Sequence, residues 1–258
     1  MYKKTKMDLI QIYTDTLQYS KETITSNPRD SCKLKLNNNK TCENVPKRFE
    51  KTNIRVENCD VIESIIRLHK CSPSNTKNKM LVLNLASDKR FGGGVRTGAM
   101  AQEEELFRKT DYGNHSGQEL YPLATHEFVF TPCVHVVKDG NYKHLDVKDM
   151  IPFDGFAIAG IRNPSLINGR LNKEDYHLTK QKIETIFTFA IHNANTNLVL
   201  GALGCGVFRN PPEDIVEIYN DCLEKYDGHF ENIVFSVLGT NNNNYTTFNK
   251  NIFTPLNI

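Results

Sequence analysis

Two stretches of this sequence join residues that could do chemistry to residues that could admit a ligand. In the first, Gly92, Gly93 and Gly94 are followed, after a spacer of seven residues, by Gln102 and then by Glu103, Glu104 and Glu105. Adjacent glycines lose much backbone entropy on folding, so a fold keeps them where φ must be positive or where a ligand lies against the main chain. Carboxylates beside such a surface can pass a proton to a reacting group. A plainer reading also fits. Acidic residues in the first turn of a helix complement its dipole, and Arg108 and Lys109 would do the same at the other end. The second stretch, Gly204-Cys205-Gly206-Val207-Phe208, runs into Arg209-Asn210-Pro211-Pro212. Small residues before a proline-started helix let backbone N–H groups reach an anion. Neither a lysine-bearing nucleotide loop nor a dinucleotide GxGxxG pattern is present. Cys205, between two glycines, could be a nucleophile on a tight turn or a small residue that allows close backbone approach. No histidine stands at a recognisable partner spacing, which weighs toward the second. His69, His126, His135 and His192 sit in or beside apolar runs and read as packing residues.

The elements needed to hold these stretches are legible from periodicity. Ile10, Tyr13 and Leu17 mark an amphipathic helix over Met7 to Lys21. Residues 22–50 are polar, with Pro28, Pro46 and the Asn37–Asn39 run, and read as a long loop that could fold over a site. A short strand from Ile54 to Glu57 precedes Asp60, which is placed to cap a helix burying Ile62, Ile65, Ile66 and Leu68, with Pro73 to Asn78 ending it. Met80 to Leu85 is nearly continuously apolar, the mark of a strand buried on both faces. A helix from about Ala101 to Lys109 follows, with Gly113 as its terminator. Strands are expected at Glu127 to Val137, interrupted at Pro132, at Phe156 to Ile161, at Leu198 to Leu203 and at Ile233 to Leu238. Helices are expected at Asp175 to Asn193 and Glu213 to Lys225, with one short helix in the tail after Tyr245. Strands and helices alternate, which predicts an α/β layered sheet. Both glycine stretches follow strands, so both should lie at the carboxyl edge of that sheet, where such folds bind ligands.

Composition narrows the class. The chain has 258 residues, 39% hydrophobic and 24% charged, with a net charge of +2. This fits a globular protein with a substantial core and no electrostatic footprint for duplex nucleic acid. The seven cysteines form no CxxC and no zinc spacing, so no metal is expected and a reducing compartment is favoured. No signal peptide and no membrane-length apolar run is visible, so cytoplasm or nucleus is the expectation. Asparagine tracts at 37–39 and 241–244 are polar and turn-prone. Residues 1–50 read as an accessory helix and polar loop, and residues 51–258 as the catalytic domain.

The glycine triplet, the spacer and Gln102-Glu103-Glu104 resemble the signature of the poly(ADP-ribose) glycohydrolases. Val82-Leu-Asn-Leu-Ala-Ser87, Leu198 to Phe208 and Asn210 to Ile215 are similar to the bacterial-type branch of that family, and the likeness covers about residues 50 to 250. It implies a macrodomain-like three-layer α/β/α mixed sheet with an N-terminal helical extension. It implies glycosidase chemistry without a cofactor: hydrolysis of ribose–ribose O-glycosidic bonds, from the polymer end in that branch's manner, to release ADP-ribose. A reader of ADP-ribose and a hydrolase of mono-ADP-ribosylated macromolecules are the alternatives. Carried over by position, Glu104 is the acid–base and Glu103 bonds a ribose hydroxyl. Gln102 supports the loop, and Gly92, Gly93 and Gly94 press backbone against the ribose. Gly204, Cys205, Gly206, Val207 and Phe208 wrap the diphosphate. Asn84 and Ser87 lie where sugar-contacting side chains are expected, and Asp60 is a weaker candidate for adenine, since capping explains it as well. A neighbouring carboxylate and a partly dry pocket would raise the pKa of the acid. Arg96 in the spacer and residues 22–50 have no counterpart in the resemblance.

Overall fold

The structure is a computed structural model, described over residues 4–24, 30–36, 42, 44–71, 79–239 and 243–253. Pro28, Asn37–Asn39, the Pro73 to Asn78 run, part of the 241–244 tract and the end of the tail lie outside the described residues.

Among the described residues nine strands form. They are β1 (Cys32–Lys35), β2 (Asn53–Glu57), β3 (Met80–Leu85), β4 (Glu127–Val136), β5 (Ile151–Ile158), β6 (Leu166–Ile167), β7 (Arg170–Leu171), β8 (Asn197–Leu200) and β9 (Asn232–Ser236). The helices are α1 (Lys6–Thr23), α2 (Val61–Cys71), α3 (Gln102–Lys109), α4 (Lys173–His192), α5 (Pro212–Lys225) and α6 (Asn244–Asn251). Seven strands make one mixed sheet in the order β1-β4-β5-β3-β8-β9-β2, while β6 and β7 form a separate hairpin. From β5 to β2 all pairings are parallel; β4 runs antiparallel to both β5 and β1.

The apolar runs explain why the sheet is covered on both faces. Along β3, Leu81 and Leu83 join a core with α4, α5 and α6, whereas Met80 and Val82 join a core with α2 and α3. The same alternation recurs in β8, with Leu198 and Leu200 on one face and Val199 on the other, and in β9, with Ile233 and Phe235 opposite Val234. A strand with apolar residues on both faces must be buried on both. The layers are therefore helices, sheet and helices.

Several expectations shift. Cys32–Lys35, placed in a polar loop by its composition, forms the edge strand β1 on β4, in register Cys32 with Phe130 through Lys35 with Glu127. A short lysine-bearing strand suits an exposed sheet edge, and that pattern is what a search for apolar runs passes over. Strand β5 starts at Ile151, not Phe156. Pro152 sits near its start, and Asp154 and Gly155 break the apolar pattern without breaking the strand. Strands β8 and β9 stop at Leu200 and Ser236, short of the expected ends. Helix α3 ends at Lys109, and Gly113 lies in a following single turn, Asp111–Asn114. Helix α1 buries Leu9, Tyr13, Thr16 and Ser20, a face rotated from the one expected, and leaves Ile10 and Leu17 half-buried. The buried hydroxyls are satisfied: Thr16 donates in a shared contact to the carbonyls of Ile12 and Arg108, and Ser20 to that of Thr16. Of the histidines read as packing residues, His69, His126 and His192 are exposed. His135 is half-buried against the Asp111 carboxylate.

Helix α1 is fixed to the loop that leads into α3. Gly98 has φ +74, and a Cβ there would come within 2.8 Å of the Lys6 carbonyl oxygen. Left-handed backbone and the main chain of α1 both require glycine. Gly98→Ala is therefore expected to cost about 1–3 kcal/mol and to make α1 more susceptible to limited proteolysis. An unchanged melting temperature and cleavage pattern would show that α1 is not seated there.

Candidate active site

Parallel pairing brings the carboxyl ends of β3, β8, β5 and β9 to one edge, and a cleft of about 660 Å3 opens there. Its first wall is built from the way α3 is attached to β3. Strand β8 pairs with β3 only over Met80–Val82, so the β8-facing groups of Leu83 and Leu85 lack a strand partner. Gln102 takes that place. Its Nε2 donates to the Leu83 carbonyl at 2.6 Å, and its Oε1 accepts from the Leu85 N–H at 2.9 Å. One primary amide thus reproduces a rung of parallel sheet and fixes the first residue of α3.

That attachment carries Glu103 and Glu104 into the cleft with little exposure, 3% and 6%. Backbone amides receive them. Glu104 Oε1 accepts from the Gly94 N–H and Oε2 from the Ala101 N–H, both at 2.8 Å. The second bond is the helix-side half of a capping box, with Glu104 at the third helical position. Glu103 Oε2 accepts from the Ser87 N–H at 2.8 Å, and its Oε1 lies 3.5 Å from Asn84 Nδ2. Burial pushes the Glu103 carboxyl up to about 8, and the neighbouring Glu104 charge adds to this. The Ser87 amide, Asn84 and the Gly92 amide oppose it only in part. Glu103 is the more deeply buried of the two.

The glycines have a more specific reason than flexibility. A Cβ on Gly93 would fall 2.5 Å from Glu104 Oε1 and 2.7 Å from Glu103 Oε2, and φ there is +55. A Cβ on Gly94 would instead crowd the Ala99 methyl, at 2.8 Å. Gly93 and Gly94 line the cleft, but Gly92 does not: its missing side chain makes room for the Phe107 ring. What requires glycine at position 92 is thus the packing of Phe107.

Glu105 is more than a helix-end charge. It takes hydrogen bonds from the Tyr142 hydroxyl at 2.7 and 2.9 Å and pairs with Lys109 at 3.2 Å and with fully buried Arg108 at 2.8 Å. Lys109 also pairs with Asp60 at 2.8 Å. The other Asp60 oxygen accepts from the Ile62 N–H at 2.7 Å, so Asp60 caps α2 as expected while standing at the cleft wall with both oxygens engaged.

The second wall is the loop after β8. Gly204 has φ +74, and its missing Cβ is replaced by the Asn210 side chain. Asn210 Nδ2 donates to the carbonyls of Ile161 and Gly204, fastening this loop to the one after β5. Gly204, Gly206, Val207 and Phe208 line the cleft. Cys205 does not: its Sγ faces the Leu203 carbonyl, it packs against the core, and burial holds its thiol well above the ordinary range. The nucleophile reading is excluded on that ground. Asn84 is likewise fully buried, behind Glu103 and off the cleft surface, whereas Ser87 lines it.

Sequence reasoning missed Arg162. It follows β5, pairs with Asp88, lies 4.0 Å over the Phe208 ring and lines the cleft. The Asn163 N–H donates to the Phe208 carbonyl at 2.9 Å. The loops after β3, β5 and β8 are thereby joined beside one cationic group. No sequence spacing could show this, because the three partners come from separate crossovers. Among the described residues no cluster suits a metal ion, and no helix is long and apolar enough to cross a membrane.

The fold and this cleft define an α/β protein that holds two carboxyl groups against glycine backbone at the carboxyl edge of a mixed sheet, an arrangement suited to glycosidic chemistry. Residues 1–139 match the microbial-type PARG catalytic domain, and the chain belongs to that family of poly(ADP-ribose) glycohydrolases. It is similar to the poly(ADP-ribose) glycohydrolase of Thermomonospora curvata bound to the inhibitor ADP-HPD, with 20% identity, TM-score 0.78, and coverage of 95% of this chain and 99% of that one. It is also similar to the Deinococcus radiodurans enzyme in complex with ADP-ribose. One structure of it aligns at 23% identity and TM-score 0.66 over 80% and 85% of the two chains. Another aligns at 21% and 0.70 over 95% and 98%. No curated protein sequence matches.

Keeping Glu103 neutral has a cost in stability that depends on pH. Its carboxyl titrates near 4.5 when unfolded and about 8 when folded, so the folded chain holds the extra proton between those values. Stability from this group is complete below the lower value and falls as pH rises toward the upper one. Glu103→Gln is expected to flatten that fall and to be more stable than the parent above pH ~8 by up to a few kcal/mol, measured by thermal unfolding from acid to alkaline pH. Parallel curves for the two proteins would contradict the shift.

Proposed function

We propose that this glycohydrolase cleaves ribose–ribose O-glycosidic bonds of poly(ADP-ribose) from the polymer end, releasing ADP-ribose, with Glu104 as the acid–base. The observation that carries the reading is the Glu104 carboxyl held at the cleft wall by the Gly94 and Ala101 amides, beside a Glu103 that keeps its proton near neutral pH. Glycosidic cleavage passes through an oxocarbenium-like state. Once protonated, Glu104 gives that proton to the departing ribose oxygen and then takes one from the incoming water. Glu103, neutral, can both donate to and accept from the ribose hydroxyls and so orient the sugar for that transfer. Ser87 lies on the same wall, where it can meet the sugar. The Gly204 to Phe208 loop, with the N-terminus of α5 behind it, receives the diphosphate. Arg162 contributes charge at the same place. Asp60, at the far wall, is the adenine-side candidate, through what its engaged carboxylate leaves accessible.

Glu104→Gln keeps the size and removes the transferable proton, at the loss of one of the two backbone-amide bonds. Turnover on auto-modified polymer, followed as free ADP-ribose, is expected to fall at least ~100-fold, with ADP-ribose affinity by calorimetry nearly unchanged. Near-normal turnover would sink the assignment, and release only from a mono-ADP-ribosylated peptide would redirect it to that substrate.

Arg162→Ala should act in the opposite manner. Loss of a charge-assisted contact is expected to weaken ADP-ribose binding by roughly 10- to 100-fold and to raise KM more than it lowers kcat. Unchanged affinity would remove Arg162 from the ligand.

A further inference from the structure

At the end of the sheet opposite the cleft, three side chains that the roles above do not use meet at an irregularity in β4. The pairing of β4 with β5 shifts register between Thr131 and Val134, and His135 beyond it stands across from Pro152, at the amino end of β5. Cys133 sits in this bulge with φ +59, a conformation costly for a residue that carries a Cβ. Bulges re-aim side chains. Here Cys133 Sγ comes to 3.8 Å from His135 Nε2. The other ring nitrogen, His135 Nδ1, lies 3.1 Å from Asp111 Oδ2, and the His135 N–H donates to Asp111 Oδ1 at 2.7 Å. Asp111 belongs to the turn after α3, so thiol, imidazole and carboxylate are brought into line by two separate elements.

The order of these contacts places the protons. Burial opposes the Asp111 charge, but His115 and His135 hold its carboxyl below the ordinary carboxylate range. An ionised carboxylate only accepts, so His135 carries its proton on Nδ1 and turns the Nε2 lone pair to the thiol. Transfer of the sulfur proton to Nε2 gives a thiolate beside an imidazolium that Asp111 stabilises. Cys133 and His135 are half-buried, within reach of a small molecule. The nearby charges are themselves engaged. Asp154 Oδ2 pairs with Lys79 at 3.1 Å and accepts from Asn195 at 3.0 Å, and His115 stands 3.6 Å from Asp111 Oδ1. The Cys133 N–H, which in an acyl-transfer site would face the oxyanion, donates instead to Asp154 Oδ1 at 3.2 Å. The chemistry left to this thiolate is therefore direct attack on a small, soft electrophile. Its contrast with other cysteines is clear: burial pushes the thiols of Cys42, Cys59, Cys205 and Cys222 up.

We propose that Cys133, served by His135 and Asp111, is a reactive thiol that hydroperoxides oxidise to the sulfenic acid. His135 Nε2 takes the thiol proton, and the sulfur attacks one peroxide oxygen. The O–O bond breaks, and the imidazolium returns the proton to the departing oxygen. A thiol and ROOH become a sulfenic acid and ROH, with two electrons passing from sulfur to the peroxide. This site lies apart from the cleft and does not rest on the reading of Glu104.

The test follows single cysteines by peptide mass spectrometry, with Cys71, exposed at the end of α2, as the reference thiol. Hydrogen peroxide at pH ~6, with dimedone present to trap sulfenic acid, is expected to label Cys133 about tenfold faster than Cys71. Two pH units of added acidity raise the thiolate fraction about 100-fold, and the lower nucleophilicity of the weaker base takes back about tenfold of it. His135→Gln removes the base and should bring Cys133 down to the rate of Cys71. The pH profile of iodoacetamide labelling separates this from exposure alone: the parent Cys133 should still react at pH ~6, whereas in His135→Gln its rate should appear only toward pH ~8.5. Labelling of Cys133 no faster than that of Cys71, or a rate and profile unchanged by His135→Gln, overturns the proposal. Fast alkylation with no dimedone adduct overturns the peroxide assignment. The comparison of Cys133 with Cys71 in the parent decides alone if the variant fails to fold.

Discussion

Two adjacent carboxyl groups buried at the start of one short helix are the constraint around which this molecule is arranged. Buried charge is expensive unless it is paired or hydrogen-bonded, and no cation pairs with Glu103. The fold answers with main chain. The amides of Ser87, Gly94 and Ala101 point inward because the loop from Ala86 to Ala101 coils back over α3, and it can coil that tightly because Gly93 has no side chain. Neutralising one carboxyl completes the answer, since two charges side by side in so dry a place would repel. The local design therefore separates two chemically identical side chains by depth and by the backbone amides each receives.

Outside this pair, charge is handled differently. Glu105, one residue further along α3, turns to the opposite side and is paired by Arg108, Lys109 and Tyr142. Lys109 continues to Asp60 at the head of α2. The network ties α2, α3 and the segment around Tyr142 together on the face that α1 covers. It surrounds the site with fixed charge but directs none of it at Glu103. The cleft obtains its positive potential from elsewhere, at Lys89 and Arg90 on the loop after β3 and at Arg162, which is paired with Asp88.

Much of this could be seen in the sequence wherever a local rule operated. The apolar runs of β3, β8 and β9 gave away a sheet covered on both faces, and the glycine triplet with its spaced glutamates gave away a site at the carboxyl edge. Where partners come from far along the chain, local rules had nothing to say. Glu105 looked like a helix-end charge because Tyr142 lies 37 residues away. Arg162 had no motif because Asp88 and Phe208 meet it from two other crossovers. Strand β1 was hidden by lysines that suit an edge, and the start of β5 by a proline and a glycine that the strand tolerates. Gly92 and Gly93 could not be told apart by type, since one makes room for an aromatic ring and the other for carboxylate oxygens.

The Gln102 amide has a further consequence. By completing the pairing of Leu83 and Leu85 it makes the head of α3 part of the central sheet in hydrogen-bonding terms. Opening that wall means breaking hydrogen bonds to a central strand, which places it toward the stiffer end of the molecule's local motions. The opposite wall is fastened mainly loop to loop, by the Asn210 side chain, the Asn163 to Phe208 backbone bond and a partly exposed arginine. Motion about the cleft is therefore expected to be larger on the side of the Gly204 to Phe208 loop than on the side of α3.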